Sequence, residues 1–529
     1  MRRAVRRRIW LRLFGFIVLH CAVCGALADV HPLPLAAQWN VGAWPGSFDP
    51  DFQIELLREG RYLLPTFNLE PPDRPVRAAY YESAIRYLAR EQLPVSFISL
   101  QWELMLPKIS AAYAARDSAG RNVPLSPFGA LEPWYAAGRR WAEHPMLKRL
   151  QRLYPDPPLV VFVSNNEYPK LAWHDLAQSA ELRTRAGPNA DDATIRRVVG
   201  DAWIERYREL IRGFREGLTQ AAWRDHALFT GYDAFSQASI GRWPEWAQYS
   251  LHVPGRMEPW SSAWDGASVS FYVHDWAPDS DYTVWSPQIE AMNQVPVLAD
   301  VMRARPAYWF ELSVWDGQQP GSPTDKALFY RSRGQQMTPA RFAGMSQFGM
   351  WLLRPRVVRE FRGTMDDRAR FGASFDATLA AVARVHDNPV LSRFWRTGRL
   401  LANPSNAHPY EEALPADYAG RARWFLLDSP ANPPRPWRLD TPLEVFALAL
   451  EAGESAGREW LVYAFSPRRA QMQVDVQIPD GPRVRVQATS SGCFSRVQRA
   501  SAVVETLTCA DREASARGRA HGPNAVDLR

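Results

Sequence analysis

Residues 158–170 read PLVVFVSNNEYPK, and this stretch decides the fold. Leu159, Val160, Val161, Phe162 and Val163 form a short β-branched, apolar run, the pattern of a strand buried on both faces. Asp156-Pro157-Pro158 opens it in a form no helix accepts, and Ser164-Asn165-Asn166-Glu167 ends it abruptly. A buried parallel strand delivers such an amide and carboxylate where α/β barrels keep their chemistry. One Glu alone reads equally well as part of a polar loop after a core strand. A second stretch, PAYWFELSVWD at residues 306–316, tips the balance, because it too is an apolar strand ending in one carboxylate, Glu311. Two such strands predict a pair of carboxylates facing one site.

The alternation extends in both directions. Strands are expected at 35–40, 61–69, 95–100, 159–163, 227–230, 267–273 and 306–316, with helical spacing at 51–59, 78–92, 134–153, 195–218 and 289–304. FGMWLL at 348–353 reads either as the eighth strand, carrying Trp351, or as the end of a helix begun at Thr338. Alternating strands and helices imply a parallel sheet, and this number implies an α/β fold of the (β/α)8 TIM barrel type. Long connections at 104–132 and 235–266 are the expected walls of a cleft.

From about Arg421 the texture changes to short strands parted by turn residues, which predicts a C-terminal all-β sandwich. The expected organisation is a signal peptide at 1–28, a catalytic barrel at 29–410, the β-sandwich at 411–510 and a disordered tail at 511–529. The leader carries six arginines, an apolar stretch from Leu13 to Val23 and Ala26-Leu27-Ala28 as a cleavage site, so a secreted or periplasmic protein is expected. Retention of that leader as an anchor is the alternative. Removing its six arginines takes the net charge from +7 to +1, and the remaining arginines are dispersed, which excludes nucleic acid as the partner. Cleavage leaves Cys493 and Cys509, which are expected to form a disulfide in an oxidising compartment.

With Glu167 after the fourth strand and Glu311 on the seventh, the chain resembles the retaining glycoside hydrolases of clan A, the 4/7 superfamily. In that clan an Asn-Glu pair ends the fourth strand and a second Glu ends the seventh. The resemblance implies that Glu167 is the general acid/base, Glu311 the nucleophile and Asn166 a ligand for a sugar hydroxyl. It further implies Tyr272 or His274 beside the nucleophile and Trp351 beneath the sugar. The clan often has an Arg near the end of the second strand, and Asn68-Leu69-Glu70 offers none. Retaining hydrolysis needs two carboxyl groups about 5–5.5 Å apart, which opposed strands of one barrel can hold.

Flat apolar faces suit sugar rings, and Trp102, Trp276 and Trp315 follow strand ends, with Glu103 beside the first. A carbohydrate is therefore the expected partner, with no cofactor and no membrane after leader cleavage. The histidines form no H-x-H or HExxH pair, so no metal site is expected. Glu70 and Glu103 are the competing carboxylate pair. A barrel that binds glycans without cleaving them is the rival reading. Gly453-Glu454-Ser455-Ala456-Gly457 matches a nucleophile elbow, but the strand expected after it makes a hairpin turn the better reading.

Overall fold

The computed structural model describes residues 32–38, 56–60, 62–68, 78–99, 115–116, 119–123, 128–164, 179–232, 263–272, 309–313, 338–361, 368–403, 425–435, 443–453, 457–499 and 504–509. The expected leader, the tail and the helix at 289–304 lie outside them. Eight parallel strands organise the first part: β1 (Leu35–Gln38), β2 (Thr66–Asn68), β3 (Val95–Ser99), β4 (Val160–Ser164), β5 (Ala227–Tyr232), β6 (Gly266–Tyr272), β7 (Trp309–Ser313) and β8 (Val357–Phe361). Their order in the sheet is β1-β8-β7-β6-β5-β4-β3-β2, so chain order and spatial order run together around it. Ala36 of β1 bridges Leu63, just before β2, with Ala36 N–H donating to Tyr62 O at 2.8 Å and Leu64 N–H to Ala36 O at 2.7 Å.

The helices whose bounds are described are α1 (Ala78–Glu91), α2 (Glu132–Ala142), α3 (Pro145–Leu153), α4 (Ala180–Ala186), α5 (Asp192–Gly217), α6 (Ala221–Asp225), α7 (Pro339–Leu353), α8 (Arg368–Asp387) and α9 (Pro389–Thr397). The single helix expected at 134–153 is two. Pro145 has no N–H to continue the ladder, and His144 caps the second helix, its Nδ1 accepting from Met146 N–H at 3.1 Å. Helices α2 and α5 pack backbone to backbone, which glycine alone permits. A Cβ on Gly138 would stand 2.0 Å from Leu210 O, and one on Gly213 would stand 2.1 Å from Tyr135 O.

FGMWLL resolves as helix. It ends α7, whose residues from Phe342 to Leu353 are all buried, so no amphipathic period marks it. Arg354, at φ 43°, stops the helix in the left-handed region, and the eighth strand is VVREF at Val357–Phe361.

The C-terminal part is all-β: β9 (Arg399–Leu400), β10 (Phe446–Ala452), β11 (Glu459–Phe465), β12 (Gln471–Gln477), β13 (Arg483–Thr489), β14 (Cys493–Gln498) and β15 (Val504–Cys509). Hydrogen bonding joins all seven in the order β9-β10-β11-β13-β12, with β14 pairing β11 and β15. Among the named strands, the β12–β13 hairpin pairs with β11 at Phe465 and Thr489, and Gln477 of β12 also bridges Asp428. Its Val474, Val476, Val484 and Val486 share a core with Val445, Ala447, Ala449 and Val462, so the hairpin packs as a second layer. The alternate residues of β10 and β11, Phe446, Leu448, Leu450, Leu461, Tyr463 and Phe465, enter the same core as α7. Because β9 belongs to this sheet, it reaches back before residue 411. Cys493 and Cys509 are joined, S–S 2.05 Å, across the paired strands β14 and β15.

Candidate active site

The C-terminal ends of the parallel strands are where the chemistry was expected. In and just before the parallel strands, Ala37, Leu64, Leu159, Val161, Val163, Trp309 and Val357 form one buried apolar cluster with Leu35 and Leu228 against it. One pleat further along three of these strands the character turns polar: Leu64 gives way to Thr66, Leu228 to Thr230 and Val357 to Arg359, all fully buried. Thr66 Oγ1 lies 2.6 Å from Ser96 Oγ, and Ser96 Oγ donates to Pro65 O at 3.0 Å. The hydroxyl of Thr230 has no hydrogen-bond partner among the described residues. An apolar floor below a polar layer is what a site built on strand ends requires.

Glu311 is the third of the five residues of β7, inside the strand where its end was expected. Its register partners are Ser270 on β6 and Arg359 on β8. Tyr272 is the last residue of β6, in register with Ser313. Asn166 and Glu167 follow β4, which ends at Ser164, and lie outside the described residues. So do Trp102, Glu103, His274, Trp276, Trp315 and the competing Glu70.

Trp351 is the clear correction. It sits on α7, not on the eighth strand, and is fully buried. Its ring meets Trp395 of α9 and Phe494 of β14 edge-on, each with centroids 5.1 Å apart, so it packs the two parts together and has no face for a ligand. Gly453 and Gly457 lie between the antiparallel strands β10 and β11, so the Ser455 motif is followed by the strand Glu459–Phe465 where an elbow needs a helix. Arg359 was missed. A charged Arg-Glu pair in the middle of VVREF disguises a strand, and only its period-2 placement between Val357 and Phe361 signals it.

No family model matches the chain, and no curated protein does. Solved structures similar to it include α-L-fucosidase isoenzyme 2 from Paenibacillus thiaminolyticus, at 10% identity and TM-score 0.33, covering 71% of this chain and 51% of that one. The chain thus matches about half the length of the fucosidase. A noncanonic maltogenic α-amylase, AmyB, from Thermotoga neapolitana aligns at 10% identity and TM-score 0.31, covering 84% of this chain and 99% of that one. AmyP in complex with maltose aligns at 10% identity and TM-score 0.34, covering 87% and 95%. Likeness of this degree decides neither family nor activity. Among the described residues no group of three or more His, Cys, Asp or Glu side chains could hold a metal ion, and no helix is long and apolar enough to cross a membrane.

Proposed function

We propose that this protein is a secreted retaining glycoside hydrolase whose eight parallel strands close into a (β/α)8 barrel, with Glu311 as nucleophile and Glu167 as general acid/base. The observation that carries the reading is the strand order. Eight parallel strands follow one another in chain order, Ala36 of the first bridges Leu63 just before the second, Glu311 is carried by the seventh, and Glu167 follows the fourth in the sequence. Along a flat sheet those strands would stand about 14 Å apart, three spacings of about 4.8 Å. Only a closed sheet lets their carboxylates converge across its interior to the separation that retention needs, about 5–5.5 Å.

The reaction follows from that convergence. Glu311 attacks the anomeric carbon as the glycosidic C–O bond breaks, and Glu167 passes its proton to the departing oxygen. Water then attacks the glycosyl ester, Glu167 takes the water's proton, and Glu311 leaves as its carboxylate. Asn166, Glu103, Tyr272, His274, Trp102, Trp276 and Trp315 are proposed to hold the sugar, by hydrogen bonds and by stacking on aromatic faces. Trp351 is withdrawn from that set. The test is a panel of plant, algal and bacterial polysaccharides incubated with wild type, Glu167→Ala and Glu311→Ala. Reducing-end release by wild type alone is expected. Retention on a glycan with no release by any of the three identifies a binding barrel instead.

A further inference from the structure

A fully buried arginine in the middle of a parallel strand requires a reason. Arg359 is 0% exposed, and its guanidinium carbon lies 5.8 Å from the centre of the Trp309 ring. A guanidinium taken out of water is stable only beside acceptors or a counter-charge. Its position in β8 is directly in register with Glu311 on β7. Neighbouring strands run about 4.8 Å apart, and in-register positions of parallel strands share a pleat phase. The rest of that row is Ser270 on one side and Ala37 on the other, neither of which brings charge. Glu360 is of the opposite phase, in register with Leu312 and Gln38.

We propose that Arg359 is a positioning residue for Glu311, its guanidinium fixed over the Trp309 ring and holding the neighbouring carboxylate ionised and aimed. The inference deepens the reading of Glu311 as nucleophile and rests on it for its catalytic meaning. An opposite charge within reach favours the ionised form of a carboxyl and lowers its pKa by about 1–3 units. The planar fork of arginine fixes orientation as well as charge, which a lysine ammonium does not. Glu311 would then enter the reaction as an anion and leave the glycosyl ester as one, its departure aided by the same cation.

The test is a carboxyl-carbon NMR titration of full-length protein labelled at glutamate, with the Glu311 resonance identified by its loss in Glu311→Gln. In wild type the midpoint is expected below the ordinary glutamate value of about 4.3. Arg359→Met should raise it by about one unit or more, and Arg359→Lys should restore part of the shift. Loss of packing alone would not order the variants this way. A wild-type midpoint at or above the ordinary value overturns the inference, even if Arg359→Met fails to fold. So does a midpoint that Arg359→Lys and Arg359→Met leave unmoved. Because the titration needs no turnover, its failure is distinct from failure to cleave any glycan. Where wild type does cleave one, the acidic limb of its kcat/KM profile should move with the same midpoint in Arg359→Lys.

Discussion

Replacing Trp351 by alanine separates a packing role from a sugar platform. The side chain is fully buried on α7 and touches Trp395 and Phe494, one from the helix before β9 and one from the β14 strand. Truncating a buried Trp to Ala destabilises by about 3–5 kcal/mol. Each edge-on aromatic contact adds about 0.5–1.5 kcal/mol beyond the area it buries, so the upper end of that range is expected. Against a total stability of about 5–15 kcal/mol, this is a third or more. The indole N–H has no hydrogen-bond partner among the described residues, so Trp351→Phe removes volume alone and should lose much less. Urea unfolding followed by circular dichroism gives the stability, and retention on polysaccharide gives the binding. The expected result is a large drop in the urea midpoint for Trp351→Ala, a small one for Trp351→Phe, and glycan affinity unchanged in whatever remains folded. An unchanged midpoint with lost glycan retention would falsify the packing assignment.

Three further outcomes are expected. The Cys493–Cys509 bridge spans a sequence separation of 16, so replacing both cysteines by serine should lower stability by about 3 kcal/mol; unfolding curves that coincide with wild type would speak against it. Tyr463, fully buried, donates its hydroxyl to Gly344 O at 2.6 Å, and burial raises its pKa well above 10.0, so it stays a donor at working pH. Tyr463→Phe should therefore lose about 1–2 kcal/mol, read from the same denaturation experiment, and no loss would mean the bond contributes nothing net. His386 stacks on Tyr62 with centroids 3.6 Å apart and meets Pro34 O at 2.6 Å, and burial lowers its pKa below 6.5. The unfolded chain thus takes up a proton where the folded chain does not. Stability should fall as pH drops below about 6.5 and level off beneath the folded pKa. His386→Gln should flatten that part of the profile, and an identical slope in both proteins would assign it to other groups.

Strands buried on both faces were the most legible part of the sequence. VVFV at 160–163 read correctly because a continuous apolar run of that length leaves few alternatives, and WFEL at 309–312 because aromatic and aliphatic residues flank its single carboxylate. The eighth strand was not legible, for two physical reasons. The helix before it is buried all round between two sheets, so it lost the 3.6-residue period that would have named it. The strand itself carries two fully buried charged residues, Arg359 and Glu360, which a hydrophobicity pattern counts as surface. Glu311 was singled out as a candidate from its apolar flanks, and it does lie in a strand of the parallel sheet. The polar layer of Thr66, Ser96 and Thr230 stayed hidden, because single hydroxyls inside short strands carry no signal until register aligns them. The β-rich C-terminal part was legible from its turns. Its last strands, β14 and β15, were not anticipated as strands; only the bridge between Cys493 and Cys509 was.

Azide rescue tests the proposed roles of Glu311 as nucleophile and Glu167 as acid/base at once. The readout is the anomeric configuration of the glycosyl azide, followed by proton NMR. Glu311→Ala leaves room for azide to displace the leaving group directly, so its product should have inverted configuration. Glu167→Ala still forms the glycosyl ester from substrates with good leaving groups, and azide should capture it with retained configuration. An inverting wild type, or near-normal activity in both variants, would contradict the assignment and turn attention to Glu70 and Glu103.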